Sequence, residues 1–259
     1  MNVTGQSAII TGGHSGMGFA AAQALRAQGA KVAIIGRRKE RVEAKAELIG
    51  AVGLACDISD PGAVDAALDA AEAVNGTARI LINAAAIGNM CGLLNSDGSA
   101  APLDAIRDTV AVNLLGTLYI DRAFASRLTA LQPDEDQLRG VIINVSSIGA
   151  ADGSGSVYAA SKGGVNSLCL SLARDLDPWG IRVVTISPGG VDTELLRGGA
   201  NDEINAAMRT MIPALRRVGR PEEFGALALH ICQNNYLNAC NIRLDGGFRI
   251  PYSNAMKGG

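Results

Sequence analysis

Ser7-Ala8-Ile9-Ile10-Thr11-Gly12-Gly13-His14-Ser15-Gly16-Met17-Gly18 is the stretch from which the rest of the chain can be read. Its first five residues form a short apolar run of strand character. Met17, Ala20, Ala21, Ala24 and Leu25 then recur at the spacing of one helix face. The turn between them is rich in glycine, which lets a backbone bend sharply and come close to a bound group. A strand, such a turn and a helix N-terminus together offer free N–H groups and a partial positive charge, which suits a pyrophosphate. Gly12, His14, Ser15, Gly16 and Met17 are therefore expected to contact a dinucleotide.

Downstream, the same alternation repeats. Strand character falls on residues 31–35, 52–56, 80–83, 141–145, 181–186 and 241–244. Helical character falls on 40–49, on a stretch opened by Asp60 or Pro61 and closed by Asn75-Gly76, and on 157–176 and 221–232. This pattern predicts an α/β fold over residues 1–259 as a single Rossmann-like domain. Its doubly wound parallel sheet should have about seven strands and helices on both faces. Stretches 88–101, 132–139 and 193–211 look irregular, and residues near 193–215 are expected to form a substrate lid.

Composition excludes several classes. A net charge of −2 gives no positive field for nucleic acid or an anionic membrane, and 3% aromatics gives no stacking platform for bases. The two histidines, His14 and His230, are too few for a multi-histidine metal site, so no metal is expected. Five cysteines without a C-x-x-C pair read as reduced thiols. No apolar run is long enough to span a bilayer, and strand character from near Gln6 leaves no room for a signal or transit peptide. A cytoplasmic protein is expected.

The spacing T-G-x-x-x-G-x-G in residues 11–18 resembles the short-chain dehydrogenase/reductase family, and the resemblance extends over essentially the whole chain. It implies an NAD(P)-dependent oxidoreductase acting on a small carbonyl or alcohol. It also implies adenine contacts from Asp57, with Ile58 beside it. Asn83-Ala84-Ala85-Ala86 stands where the family has N-N-A-G; Asn83, Ala84 and Ala85 are assigned to the cofactor loop. Pro188-Gly189-Gly190-Val191-Asp192-Thr193 matches the P-G-x-V-x-T segment, so Pro188, Gly189, Val191 and Thr193 are placed at the nicotinamide carboxamide. At the end of the second strand, Gly36 brings no carboxylate, while Arg37 and Arg38 offer guanidinium groups. That combination suits a 2′-phosphate, so NADP is favoured over NAD; the other reading is a solvated arginine pair at a helix start.

Tyr158-Ala159-Ala160-Ser161-Lys162 is the central constellation, because a spacing of four puts both functional side chains on one helix face. A phenol titrates near ~10; a nearby ammonium and the positive nicotinamide are expected to lower that and make Tyr158 an acid–base. Family resemblance adds a ribose contact to Lys162, an oxygen-orienting role to Ser147 with Ser146 in reserve, and a water-holding role to Asn113. The stretch from Ser147 to Tyr158 is about two residues shorter than the family's usual length. Residues 132–144, 173–183 and 236–246 resemble the type-2 3-hydroxyacyl-CoA dehydrogenase branch, which also handles hydroxysteroids. That branch has Asp in the place of Gly36 and implies NAD, in conflict with the arginines. Arg209, Arg216, Arg217 and Arg220 read either as acyl-CoA phosphate ligands or as a solvated face, with Arg217 placed in an ion pair. Other readings are a 3-oxoacyl-carrier-protein or other ketone reductase, and a silent nucleotide-binding scaffold; the intact Ser147, Tyr158 and Lys162 oppose the last. The family also implies a homotetramer.

Overall fold

The computed structural model describes residues 1–90, 92–199, 202–213 and 215–251; Cys91 and part of the expected lid lie outside the described residues. Along the chain come β1 (Ser7–Thr11), α1 (Gly16–Ala27), β2 (Lys31–Gly36), α2 (Lys39–Leu48), β3 (Val52–Ala55), α3 (Pro61–Asn75) and β4 (Ile80–Asn83). Then follow α4 (Leu103–Val110), a π-helical turn (Ala111–Leu115), α5 (Gly116–Leu128), β5 (Gly140–Val145), α6 (Gly149–Asp152) and α7 (Ser156–Asp175). The last elements are β6 (Ile181–Pro188), α8 (Glu194–Gly199), α9 (Asp202–Met211), α10 (Pro221–Gln233) and β7 (Cys240–Leu244). All seven strands join one parallel sheet in the order β3-β2-β1-β4-β5-β6-β7.

Both faces of the sheet are covered over its five central strands, so these read as continuous apolar runs rather than as alternating ones. Ile10, Ile34, Ile82 and Ile143 point to the face covered by α1 and α10, where Leu25 and Phe224 are fully buried. Ile9, Ile35, Leu81 and Ile142 point to the other face, against Leu68 of α3 and Phe124 of α5. The period of two therefore survives as a choice between two cores. Among the described residues, no helix is long and apolar enough to cross a membrane.

Local chemistry accounts for the boundaries. Asp60 is the N-cap of α3, its carboxylate accepting from Gly62 N (2.8 Å) and Ala63 N (3.3 Å), with Pro61 at the first helical position. The expectation that 193–211 is irregular is corrected: α8 and α9 occupy most of it. Thr193 Oγ1 accepts from Leu196 N at 3.3 Å and starts α8. Met208 of α9 and Ile212 just after it, four apart, pack with Ile148 and Phe248.

Candidate active site

A crevice of about 720 Å³ opens at the carboxyl ends of the strands, where the chain order reverses between β1 and β4. Of the residues assigned to a cofactor, Gly12, His14, Ser15, Gly16, Met17, Arg37, Arg38, Asp57, Ile58, Ala84, Ala85, Tyr158, Lys162 and Thr193 line it. Asn83, Pro188, Gly189 and Val191 are not among its lining residues. The glycine turn is a cradle without room for side chains. Gly12 has φ +64°, and a Cβ there would lie 2.8 Å from Ala85 N; a Cβ on Gly18 would lie 2.5 Å from Gly12 O. Ser15, the N-cap of α1, makes no side-chain cap bond, so the first-turn N–H groups remain for a ligand. Burial pulls the Asp57 carboxyl upward, but hydrogen bonds from Ser59 and the charge of Arg37 outweigh it and hold it below the usual range. A cradle of backbone donors, a carboxylate and two guanidinium groups along one crevice fits a dinucleotide.

Asn83 works from behind the crevice wall. Its amide donates to Asp121 Oδ1 (2.7 Å) and Asn144 Oδ1 (2.9 Å), and the Asn144 amide donates to Asp121 Oδ2 (2.8 Å). Thr11 Oγ1 donates to Asn83 Oδ1 (3.4 Å) and accepts from Ala85 N (3.2 Å). The buried network thus ends on the backbone of the alanine loop that replaces N-N-A-G. Asp121 is 2% exposed, and burial, opposed by its two amide donors, pushes its carboxyl up to about 7. A carboxyl raised in the folded state favours folding while protonated, so this contribution is present below ~4 and is lost as pH rises to about 7. The difference in unfolding free energy between parent and Asp121→Asn should change across that window, by up to about 1.4 kcal/mol per pH unit. Urea titrations at pH 4.5 and 7.5 check this, and parallel profiles for the two proteins would refute it.

The reacting end is built by β5 and α7. Ser146 Oγ donates to Lys162 O at 2.8 Å, so its proton is committed to the backbone. Ser147 Oγ accepts from Gly149 N at 3.1 Å, and its hydroxyl is near enough to the Tyr158 phenol to lower the phenol's proton affinity. Between the two serines, Ser147 is the one that meets the tyrosine. Lys162 is 2% exposed; its Nζ donates to Val145 O at 2.8 Å, and burial lowers it to about 8. Without a bound cofactor, burial raises the phenol and the neighbouring Ser147 hydroxyl offsets only part of that; the expected lowering by the nicotinamide charge belongs to the cofactor-bound state. The physical reason for the rise is burial, since Tyr158 is 6% exposed.

Asn113 lies in the π-helical turn and is fully buried. Its Oδ1 accepts from Ile87 N (2.9 Å), and its Nδ2 donates to Ile87 O (3.0 Å) and Ser161 Oγ (3.2 Å). The side chain therefore clamps the backbone that leaves the crevice wall, where Ile87 itself lies. π-turns commonly mark such inserted functional residues. After Ser147, the short α6 is held by Asp152, which accepts from Arg243 Nη1 (2.7 Å) and Nη2 (2.8 Å). Arg217 makes the ion pair assigned to it, at 2.6 Å from Glu223.

Several neighbours of the site escaped sequence reasoning. Glu194 and Leu195 of α8 line the crevice, and Arg41 of α2 donates to both oxygens of Glu194 at 2.8 and 2.9 Å. Asp121 carried a detectable signal, a lone carboxylate between Ile120 and Ala123 on a buried face. The Arg41–Glu194 pair, 153 positions apart, carried none.

Comparison with known proteins agrees with this geometry. A family model described as Enoyl-(Acyl carrier protein) reductase matches residues 12–249. The chain is 36% identical over 254 residues to 3-hydroxyacyl-CoA dehydrogenase type-2 of Bos taurus, covering 96% of this chain and 97% of that protein. The crystal structure of 3-hydroxyacyl-CoA dehydrogenase type-2 from Mycobacterium avium superposes with a TM-score of 0.88 at 32% identity, over 96% of this chain and 98% of that one. That of 3-ketoacyl-(acyl-carrier-protein) reductase from Brucella melitensis, complexed with NADH, gives 0.85 at 32% identity, over 96% and 100%. With its seven-stranded parallel sheet and its crevice at the switch point, the chain belongs to the short-chain dehydrogenase/reductase family and is an NAD(P)-dependent oxidoreductase that interconverts a ketone and a secondary alcohol.

Proposed function

We propose that the protein reduces 3-oxoacyl thioesters or related ketones, and oxidises the matching alcohols, using NADPH in preference to NADH. The observation that carries this reading is one crevice lined by Tyr158 and Lys162, with Ser147 beside the tyrosine, and by Arg37 and Arg38. When bound, the nicotinamide supplies or accepts the hydride. Tyr158, raised by burial, holds its proton at neutral pH and gives it to the carbonyl oxygen. Ser147 orients that oxygen and steadies its developing charge. Lys162 is still mostly protonated at pH 7, and its charge favours the phenolate left after transfer. We assign it the ribose contact as well. Asn113 acts as a positioning residue through Ile87. The region near 193–215, with α8 and α9, serves as the substrate lid, and Arg209, Arg216 and Arg220, in and after it along the chain, suit the phosphates of a CoA ester.

Cofactor preference is argued from the chain's own residues. With no side chain at Gly36, no carboxylate stands at the end of β2 to repel a 2′-phosphate, and two guanidinium groups attract it. A panel of 3-oxoacyl-CoA esters and ketones, assayed for kcat/KM with both cofactors, tests substrate class and cofactor together. Arg37→Leu should lower kcat/KM for NADPH about ten- to hundredfold and leave NADH nearly unchanged. A parent that prefers NADH tenfold or more would overturn the preference.

We also read the protein as a cytoplasmic homotetramer of D₂ symmetry, pairing α5 with α7 across one axis and α10 with β7 across another. The four free cysteines among the described residues suit a reducing compartment, and subcellular fractionation checks it. Sedimentation at assay concentration should give four times the chain mass; a fully active monomer would refute the assembly.

A further inference from the structure

Gly36 ends β2 without a positive φ, so its backbone does not call for glycine. Space does. A Cβ at this position would lie 2.4 Å from His14 Nδ1, 2.8 Å from His14 Cε1 and 2.8 Å from Val42 Cγ2. The nearest contacts are side-chain atoms, and the backbone that carries the imidazole is packed close to β1 and β2, so relief at position 36 requires the ring itself to turn out of place. A Cβ on the preceding Gly13 would lie 2.6 Å from Ile34 Cγ2 and 2.9 Å from Ile10 O. His14 Nδ1 is itself buried and has no hydrogen-bond partner. The charged groups around the ring are Arg37, Arg38 and Arg41 from the β2–α2 side and Glu194 from α8. Burial first, then Arg41 and Arg38, hold the imidazole below its usual range, so at pH 7 it is a neutral body and not a fourth cation.

We propose that His14 is a specificity-determining residue: its imidazole is a wedge that keeps position 36 free of any side chain, and so bars the carboxylate by which a site of this kind would hold an NAD ribose. The inference rests on the reading of the crevice as a nicotinamide dinucleotide site. A carboxylate at the end of the second strand accepts from the 2′-hydroxyl and repels a 2′-phosphate. With His14 in place no carboxylate is presented from position 36, and Arg37 and Arg38 are the groups that the end of β2 offers to the 2′ substituent. Positions 14 and 36 are therefore one steric unit. An exchange at 36 alone overpacks the loop, whereas the same exchange with His14 reduced does not, provided the Val42 methyl yields by a few tenths of an ångström.

The test uses the parent, Gly36→Asp, His14→Ala and the double variant. The readouts are the melting temperature of the cofactor-free protein and the Kd values for NADP+ and NAD+ by titration calorimetry. Gly36→Asp alone should lower the melting temperature by about 2–10 °C, as overpacking does, and weaken both cofactors. The double variant should recover at least half of that loss. It should also bind NAD+ about tenfold or more tightly than Gly36→Asp does, with NADP+ correspondingly weakened. Two outcomes would overturn the wedge: Gly36→Asp alone that melts like the parent and gains NAD+, or a double variant that recovers nothing. A parent that already favours NAD+ defeats the NADPH preference of the preceding section instead. The coupling in cofactor-free stability is read without reference to that preference and decides this proposal separately.

Discussion

Tyr158→Phe is expected to lose about 10²–10⁴-fold in kcat, the usual worth of a positioned acid–base, while the fold and cofactor affinity stay near those of the parent. The exchange removes one oxygen from a ring that is 6% exposed, so packing is retained. Ser147 loses one partner but still accepts from Gly149 N at 3.1 Å, so its hydroxyl is not stranded. Since burial raises the phenol, the direction of each pH profile follows. Reduction needs the protonated phenol and should persist through neutral pH, falling only on the alkaline side. Alcohol oxidation needs the phenolate and should climb as pH rises. Near-normal turnover in the phenylalanine variant, or an oxidation rate that declines with rising pH, would sink the mechanism.

Lys162→Met should reduce both turnover and cofactor binding, the latter about ten- to hundredfold, the range for hydrogen bonds to a charged donor. The cofactor-free protein should keep its stability, because the buried ammonium is already penalised. Burial depresses it from 10.5 to about 8, and replacement by an apolar chain of similar length removes that penalty. The sign can be checked. The folded parent binds its lysine proton less tightly than the unfolded chain, so between about 8 and ~10.4 the parent should gain stability relative to the variant as pH rises. Calorimetric titration with cofactor and urea melts at pH 7.5 and 10 provide the two readouts. Loss of turnover with unchanged cofactor affinity would refute the ribose contact.

These expectations depend on parts of the molecule that were unequally legible in the sequence. The strands fall within a residue or two of the apolar runs, because a doubly covered parallel strand can only be apolar. The glycine turn and the Tyr158–Lys162 pair were equally readable. A cradle that excludes a Cβ and a pitch of four residues are both set within a few positions of the chain. Helices α8 and α9 were not readable, since each is short and lies among glycines and polar residues that read as loop.

What the sequence alone determined was therefore the order of the strands along the chain, the family, and which side chains could carry the chemistry. Tertiary structure decided how those side chains are spent. It gave Ser147, and not Ser146, to the tyrosine, and it turned Lys162 toward Val145. It brought Asp121 between Asn83 and Asn144, Arg41 to Glu194, and the His14 ring over Gly36. The physical reason is range. Helical pitch, strand alternation and glycine sterics act between near neighbours, whereas burial and hydrogen-bond partners depend on which distant segments the sheet order sets side by side, and those in turn set the proton affinities of the site.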